Sequence, residues 1–363
     1  MPIPESAQNH SSFGTEPGGP QAEGDAAREF LTNPIEDPAA WRGDTMAERS
    51  DWILTLDDTM TAELESAVAA AKARGIGLFD ITREDFPLPA MSDHFQAILH
   101  ALEGGRGFTL LRGLPVERWT ETANRIAIWG LGTHLGLPVG QDLAGNLLHD
   151  VRDTGRRFGT DDSIRYYQTS HAIRLHTDGG DIFALGCVRQ GASGGRSLVV
   201  SAAEVFNEIV RRRPDLAIVL QEDFWMDARG QRPDGARCQV LPVYTWHEGY
   251  LNILLKPEYI YSAQRFDDVP RLSAAQREAL ELFHRMTREP GIPLEFDLRP
   301  GDVLLASNHT IMHGRTEFED LPDPARRRHM LRLWLTIPNG RPLPPHYADT
   351  REYAQTYRQR MPD

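Results

Sequence analysis

Arg174-Leu175-His176-Thr177-Asp178-Gly179-Gly180 is the stretch on which the fold and the chemistry of this chain turn. In an extended strand, side chains two apart share a face. His176 and Asp178 then point the same way, and Thr177 points away. One imidazole and one carboxylate side by side can fill two adjacent positions around a metal ion. A histidine brought in by the fold would complete the 2-His-1-carboxylate face that leaves iron(II) with open positions. An H-x-D triplet alone carries little weight, because it occurs by chance in many chains. Its weight comes from what stands downstream.

The second stretch runs from Pro300-Gly301-Asp302 to His313-Gly314-Arg315, and it offers His309 and His313 as the third ligand. A lone histidine is more often a hydrogen-bonded structural residue. His313 is preferred, because Ile311 and Met312 form an apolar lead-in and Gly314 releases the chain beside it. Further on, Arg328, Met330, Arg332 and Trp334 alternate along one face of a strand candidate. A basic side chain among apolar ones is costly to bury unless it meets an anion, and arginine can grip a carboxylate with two parallel hydrogen bonds. An iron(II) face with such an arginine suits a 2-oxoglutarate co-substrate, whose keto-acid end chelates metal and whose far carboxylate needs a cation. Arg326 and Arg327 are read as solvated charges.

Composition narrows the classes. The 363 residues carry a net charge of −13, with 40% hydrophobic and 25% charged residues. That is an ordinary globular composition, long enough to bury a core. The acidic balance argues against nucleic-acid partners and against docking on an anionic membrane. Cys187 and Cys238 are the only cysteines, so neither a disulfide framework nor a structural zinc site is expected. There is no basic and apolar leader of the secretory kind and no apolar run of membrane-spanning length. A cytoplasmic location is therefore expected. A homo-oligomer stays open, dimers being common among soluble enzymes.

Residues 1–25, rich in Gly, Pro and Ser, are expected to be a disordered leader, and 26–363 a single domain. Asp57 or Asp58 should cap a helix carrying Met60, Leu64, Val68 and Ala71, stopped by Gly75. Ser92 should cap a second, with Phe95, Ile98, Leu99 and Leu102 on its stripe. Residues 107–113 read as a buried strand, and Thr120 to Leu135 as a third helix. Beyond Leu147, strand candidates fall at 166–170, 173–178, 181–188, 197–200, 240–246, 250–255, 294–298, 302–306, 311–313 and 328–336. Two helices interrupt them, opened by capping boxes at Ser201–Glu204 and Ser273–Gln276, the first ended by Pro214. Many short strands with few helices predict a mainly β, α+β protein, a double-sheet sandwich or jelly roll with helices outside.

The segments His176-Thr177-Asp178, Gly194-Gly195-Arg196-Ser197, Pro300-Gly301-Asp302, His313-Gly314-Arg315-Thr316 and Arg328-His329-Met330-Leu331-Arg332 resemble, in order, the motif series of the taurine dioxygenase (TauD/TfdA-like) family. The resemblance covers about residues 105–340. It implies a double-stranded β-helix and an iron(II)- and 2-oxoglutarate-dependent dioxygenase that uses O₂ and releases succinate and CO₂. It further implies that His176, Asp178 and His313 bind iron and that Arg328 binds the distal carboxylate of 2-oxoglutarate. Ser197 stands where the family usually has a supporting threonine. Arg332 matches a position that contacts co-substrate or an anionic substrate. Hydroxylation of an unactivated C–H bond is the expected outcome, with desaturation or cyclisation in natural-product biosynthesis as variants. A carboxylate at Asp178 disfavours halogenation.

For the substrate, the expectation is a small anionic or amino-acid-like molecule. Arg174 shares the His176 face if the strand is regular, and Gln168, Asn146, Tyr166, Tyr244 and Trp246 are pocket candidates. Two other classes stay open: a cupin-like iron enzyme independent of 2-oxoglutarate, for which Arg328 would be dispensable, and a non-catalytic binding protein.

Overall fold

The computed structural model describes residues 30–155, 168–232 and 234–361. The expected leader and Tyr166 lie outside them, as does the start of the 166–170 strand candidate. Residues 168–170 form a short turn and not a strand.

Two strands buried along their whole length set the architecture. In Val303–Ser307 and His329–Thr336 every residue is buried, so both faces must be covered. The two-residue period divides them. Val303, Leu305, Leu331, Leu333 and Leu335 enter one apolar cluster, whereas Leu304, Ala306, Met330 and Trp334 enter another. Burying each such leucine contributes about 1.5–3 kcal/mol.

The larger sheet has seven strands, ordered Ile53–Thr55, Phe108–Arg112, Val303–Ser307, Ile182–Arg189, His329–Thr336 and Leu137–Pro138, with Leu148–Val151 also paired to His329–Thr336. The first pair is parallel, and the other pairs are antiparallel. The smaller sheet has four antiparallel strands, Leu294–Phe296, Ser197–Ser201, Ile311–Arg315 and Ile173–His176. Helices Asp58–Ala73, Ser92–Glu103 and Glu121–Thr133 contribute Leu64, Leu102 and Ile126 to the first cluster and cover the outer face of the larger sheet. The second cluster lies on its inner face and includes Val199 and Ile311 from the smaller sheet. A third cluster forms around helices Ala202–Arg212 and Ala274–Met286, in the long excursion between Ser201 and Leu294.

Local signals explain most element ends. Asp57 accepts from the Met60 amide, Thr120 from that of Ala123, and Ser273 makes a full capping box with Gln276. Two expectations need correction. Ser92 is no cap: a 3₁₀ turn, Pro89–Met91, leads into the helix, and Ser92 is its first residue. Pro214 does not simply end a helix; the first stops at Arg212, and Pro214 opens a second, Pro214–Val219, as its fixed φ and missing N–H favour. The 240–246 candidate divides into Cys238–Leu241 and Tyr244–His247. Among the described residues no helix is long and apolar enough to cross a membrane.

Candidate active site

The ladder of the smaller sheet places His313 directly opposite His176. The strand carrying His176 ends at that residue, earlier than the expected 173–178. Thr177 leaves the sheet and exchanges hydrogen bonds with Leu255, donating from its amide and accepting at Oγ1, both 3.0 Å. The Asp178 amide donates to Asn308 Oδ1 at 3.0 Å, and Asn308 Nδ2 donates to the carbonyls of Gly179 and Gly180. The carboxylate is thus aimed by a pinned turn. Gly179 is needed there, because a Cβ would sit 2.9 Å from the Trp334 ring.

His176 Nε2 lies 3.6 Å from Asp178 Oδ1, and His313 Nε2 lies 3.5 Å from Asp178 Oδ2. These separations are at or beyond the limit of a hydrogen bond, and they suit three donors facing one point. The nearby Nδ1 of His176 is 2.9 Å from the Arg174 carbonyl. A proton on Nδ1 donates there and leaves the Nε2 lone pair toward Asp178, the tautomer a metal needs. Phe183 of the larger sheet stacks on the His313 ring at 3.9 Å. Burial, then the neighbouring His176, pushes the His313 imidazolium down to about 4. Burial opposes the Asp178 charge, but Arg332 and the two histidines outweigh it and hold the carboxyl well below its usual range. His313 is therefore held neutral and Asp178 ionised, and a donor set of two imidazoles and one carboxylate fits a divalent iron ion.

Arg332 Nη1 and Trp334 Nε1 both donate to Asp178 Oδ2, at 3.1 and 3.0 Å. Gln141 Oε1 accepts from Arg332 Nε at 2.7 Å. Arg332, expected at the co-substrate, thus orients the carboxylate of the triad while still lining the cavity. The cause is strand period: it shares the inner face with Trp334, directly over Asp178.

The cavity holds about 550 Å³, and the triad, Ser197, Arg315 and Arg328 lie on its wall. Arg328 is buried, and its guanidinium sits 5.1 Å from the Phe318 ring, with Arg315 at 4.3 Å from the same ring. Among the described residues no carboxylate forms an ion pair with Arg328. Burial pushes its ionisation down to about 10. Burial and then Arg328 push that of Arg315 to about 9. A guanidinium does not give up its proton in a protein, so both directions mark groups that an anion would stabilise. Gly195, at φ +73°, lets the backbone pass Arg328; a Cβ there would lie 3.3 Å from Arg328 Nε. Ser197 is buried and pairs in register with Arg315.

Other sequence candidates fall elsewhere. His309 is not at the metal-like cluster: its Nε2 lies 2.8 Å from Asp181 Oδ1 in a closed buried network. Arg174 reaches the cavity only at its rim, half-exposed, with its Nε 3.8 Å from Glu258. Asn146 is off the wall, because its amide donates to Asp142 Oδ2 and its backbone to Oδ1, closing a turn. Gln168 is also off the wall, with its carbonyl accepting from Thr154. Tyr244 is fully buried in the helical cluster, and its hydroxyl donates to the Ala202 carbonyl; Trp246 packs against the same cluster. The sequence had put no role on Lys256, Arg229 or Arg351, all on the wall. They sit in loops and turns of the excursion and the C-terminal segment, where no periodicity announces a direction. Arg315 had been quoted without a role, and its alternation with His313 was the available signal.

Helix-backed double sheets enclosing an N,N,O triad and buried arginines define a non-haem iron oxygenase. The model of the TauD/TfdA taurine catabolism dioxygenase family matches residues 72–334, and the chain belongs to that family. It is an iron(II)- and 2-oxoglutarate-dependent dioxygenase. FR-33289 synthase of Streptomyces rubellomurinus is 29% identical over 325 residues, covering 87% of this chain and 94% of the relative. A uridine-5'-phosphate dioxygenase of a Streptomyces species is 31% identical over 189 residues, 49% of this chain and 65% of the relative. In fold the chain is similar to asparagine oxygenase bound to Fe(II), hydroxyasparagine and succinate, with TM-score 0.61 at 16% identity over 78% of this chain and 94% of the other. The oxygenase OrfP with Fe, succinate and 3-hydroxyarginine gives 0.59 at 17%, over 78% and 94%.

Proposed function

We propose that His176, Asp178 and His313 hold iron(II), that Arg328, with Ser197 and Arg315 beside it, holds the distal carboxylate of 2-oxoglutarate, and that the enzyme hydroxylates a small anionic molecule. The observation that carries this is the approach of two imidazole Nε2 atoms to one carboxylate, at 3.5 and 3.6 Å, inside the same cavity as Arg328. Bound iron with 2-oxoglutarate and O₂ supplies the oxidising equivalent that removes hydrogen from an unactivated C–H bond, with loss of succinate and CO₂.

The chain's own residues do the rest. Arg332 and Trp334 fix the free lone pairs of Asp178, so the carboxylate cannot rotate away from the ligand position. The Arg174 carbonyl keeps the His176 proton on Nδ1. Phe183 and Leu304 line the apolar part of the cavity and keep water from the reacting centre. Support for an anionic substrate comes from the cationic wall. Relatives acting on uridine 5'-phosphate point the same way, whereas the asparagine and arginine oxygenases keep an amino-acid substrate in view.

A screen of small anions for stimulated succinate release, with mass spectrometry of the products, tests the reading. A product one oxygen heavier is expected. A product lighter by two hydrogens would replace hydroxylation with desaturation or ring closure. Undiminished succinate release by Arg328→Ala would remove 2-oxoglutarate from its assigned seat.

A further inference from the structure

Gln141 is a buried residue at the edge of the cavity, on the loop between strands Leu137–Pro138 and Leu148–Val151. A glutamine amide offers one acceptor oxygen and two donor hydrogens, and here every one of them is engaged. Its Oε1 accepts from Arg332 Nε at 2.7 Å. Its Nε2 donates to the Arg332 carbonyl at 2.8 Å and to the Leu147 carbonyl at 2.9 Å. The orientation of the amide follows, because turning it over would set NH₂ against an N–H and the oxygen against two carbonyls. Arg332 is thus gripped twice, on its backbone and at the root of its guanidinium.

The loop that carries Gln141 is itself tied down. The Val139 amide donates to the Trp334 carbonyl at 2.9 Å, and the Gln141 amide to the Asn146 carbonyl at 2.9 Å. The Gly140 amide donates to Gln355 Oε1 at 2.8 Å, on helix Ala354–Arg360. An arginine on a strand is long, and beside a cavity that takes a dicarboxylate co-substrate it has two destinations: a ligand carboxylate or Asp178. Strand period does not choose between them, since both lie on the inner face. The contact with Gln141 does. With Nε held toward the loop, the rigid fork turns Nη1 toward Asp178 Oδ2 at 3.1 Å, and the guanidinium carbon lies 5.0 Å from the centre of the Trp334 ring.

We propose that Gln141 is a positioning residue for Asp178, acting through Arg332: it commits that arginine to the metal-facing carboxylate. This rests on the assignment of His176, Asp178 and His313 to iron(II) made above. Groups that hydrogen-bond a metal ligand from outside typically change metal affinity by about 10- to 100-fold, and Gln141 stands one bond further out, which puts it at the lower end.

Anaerobic iron(II) titration in the absence of substrate tests this, with Gln141→Met, Arg332→Met, the double variant and Asn146→Ala. Methionine keeps the length of the side chain and removes its hydrogen bonds. Gln141→Met should weaken iron(II) binding ~10-fold. The double variant should bind iron(II) no more weakly than Arg332→Met alone, because the contact has nothing left to act through. The visible bands of the cobalt(II)-loaded protein, which report how its donors are arranged, should follow the same pattern. They should shift in Gln141→Met and shift no further when that change is added to Arg332→Met. Asn146→Ala removes the side-chain tie to Asp142 in the same loop, leaves the grip on Arg332 in place and should bind iron(II) as the wild type does. It separates the amide contact from a general loosening of the loop. Unchanged affinity in Gln141→Met, losses that multiply in the double variant, or an equal loss in Asn146→Ala would each overturn the role of Gln141 and leave the iron assignment intact. A wild type that bound no iron(II) would instead remove the assignment beneath it.

Discussion

Two aspartate–histidine sets stand side by side in this molecule, built from the same two strand ends. Asp178 faces His176 and His313; Asp181 faces His309. In the second set the carboxylate is closed by hydrogen bonds on both oxygens. His309 Nε2 lies 2.8 Å from Asp181 Oδ1, Arg360 Nη2 donates to Oδ2 at 2.6 Å, and the Ile337 amide donates at 2.7 Å. In the first set the histidine nitrogens stop at 3.5–3.6 Å, while Arg332 and Trp334 occupy only one carboxylate oxygen at hydrogen-bond distance. Composition does not separate a tie that holds the fold from a set whose geometry could hold a metal. Spacing and cavity access do: both side chains of the closed set are fully buried, and the open set lines the 550 Å³ cavity.

The comparison breaks most visibly through substitution on each side. His313→Ala should abolish turnover and weaken iron binding by more than the roughly 100-fold that an outer-shell partner can cost, with the folded state retained; anaerobic iron titration checks it. Asp181→Asn should do the reverse. It strips the charge from a buried network that includes Arg360 and should destabilise the protein by about 3–5 kcal/mol in denaturant unfolding, while iron stoichiometry of the folded fraction stays the same. A smaller effect belongs to the co-substrate end. Arg328→Gln should raise the apparent KM for 2-oxoglutarate by an amount equivalent to about 2–3 kcal/mol, with iron affinity little changed in the same titration.

The smallest effect is a slope. Burial lowers the His309 imidazolium below its usual 6.5, against the opposing pull of Asp181. Its Nδ1 has no hydrogen-bond partner among the described residues, which agrees with a neutral ring. The unfolded chain therefore takes up a proton that the native state refuses. The contribution is complete above pH 6.5 and is lost as pH falls from there toward the depressed native value, at up to ~1.4 kcal/mol per pH unit. Unfolding curves across that window should flatten in His309→Gln; an unchanged slope would assign the pH dependence to other groups.

Much of the open set was legible in the chain because strands write their geometry into a two-residue period. His313 and Arg315 alternate, as do Arg328, Arg332 and Trp334, and Thr177 does point away from the cavity. The same rule misplaced the strand end, since the tie from Thr177 to Leu255 comes from the excursion and leaves no local mark. The apolar lead-in and the glycine after it favour His313 over His309, but the role of His309 was not legible, because its partner Asp181 is set by how the sheets meet. Asn146 looked like a pocket residue and closes a turn on Asp142, a local competition that polar side chains often win. Lys256, Arg229 and Arg351 were invisible for a physical reason: ties through Thr177, Asp227 and Gln239 respectively set their directions, and nothing in their neighbours' spacing does.

The long excursion between Ser201 and Leu294 bears on how the enzyme could be altered. All three triad residues and the arginines at 315, 328 and 332 lie outside it, whereas Arg229, Gln231, Lys256 and Tyr259 lie within it. The triad with its neighbouring arginines and much of the remaining cavity wall are therefore carried by separate lengths of polypeptide, with Arg351 of the C-terminal segment the exception. A graft exchanging that length for one of different charge could redirect the same oxidant to new targets, provided the Gln239 and Thr177 ties are rebuilt.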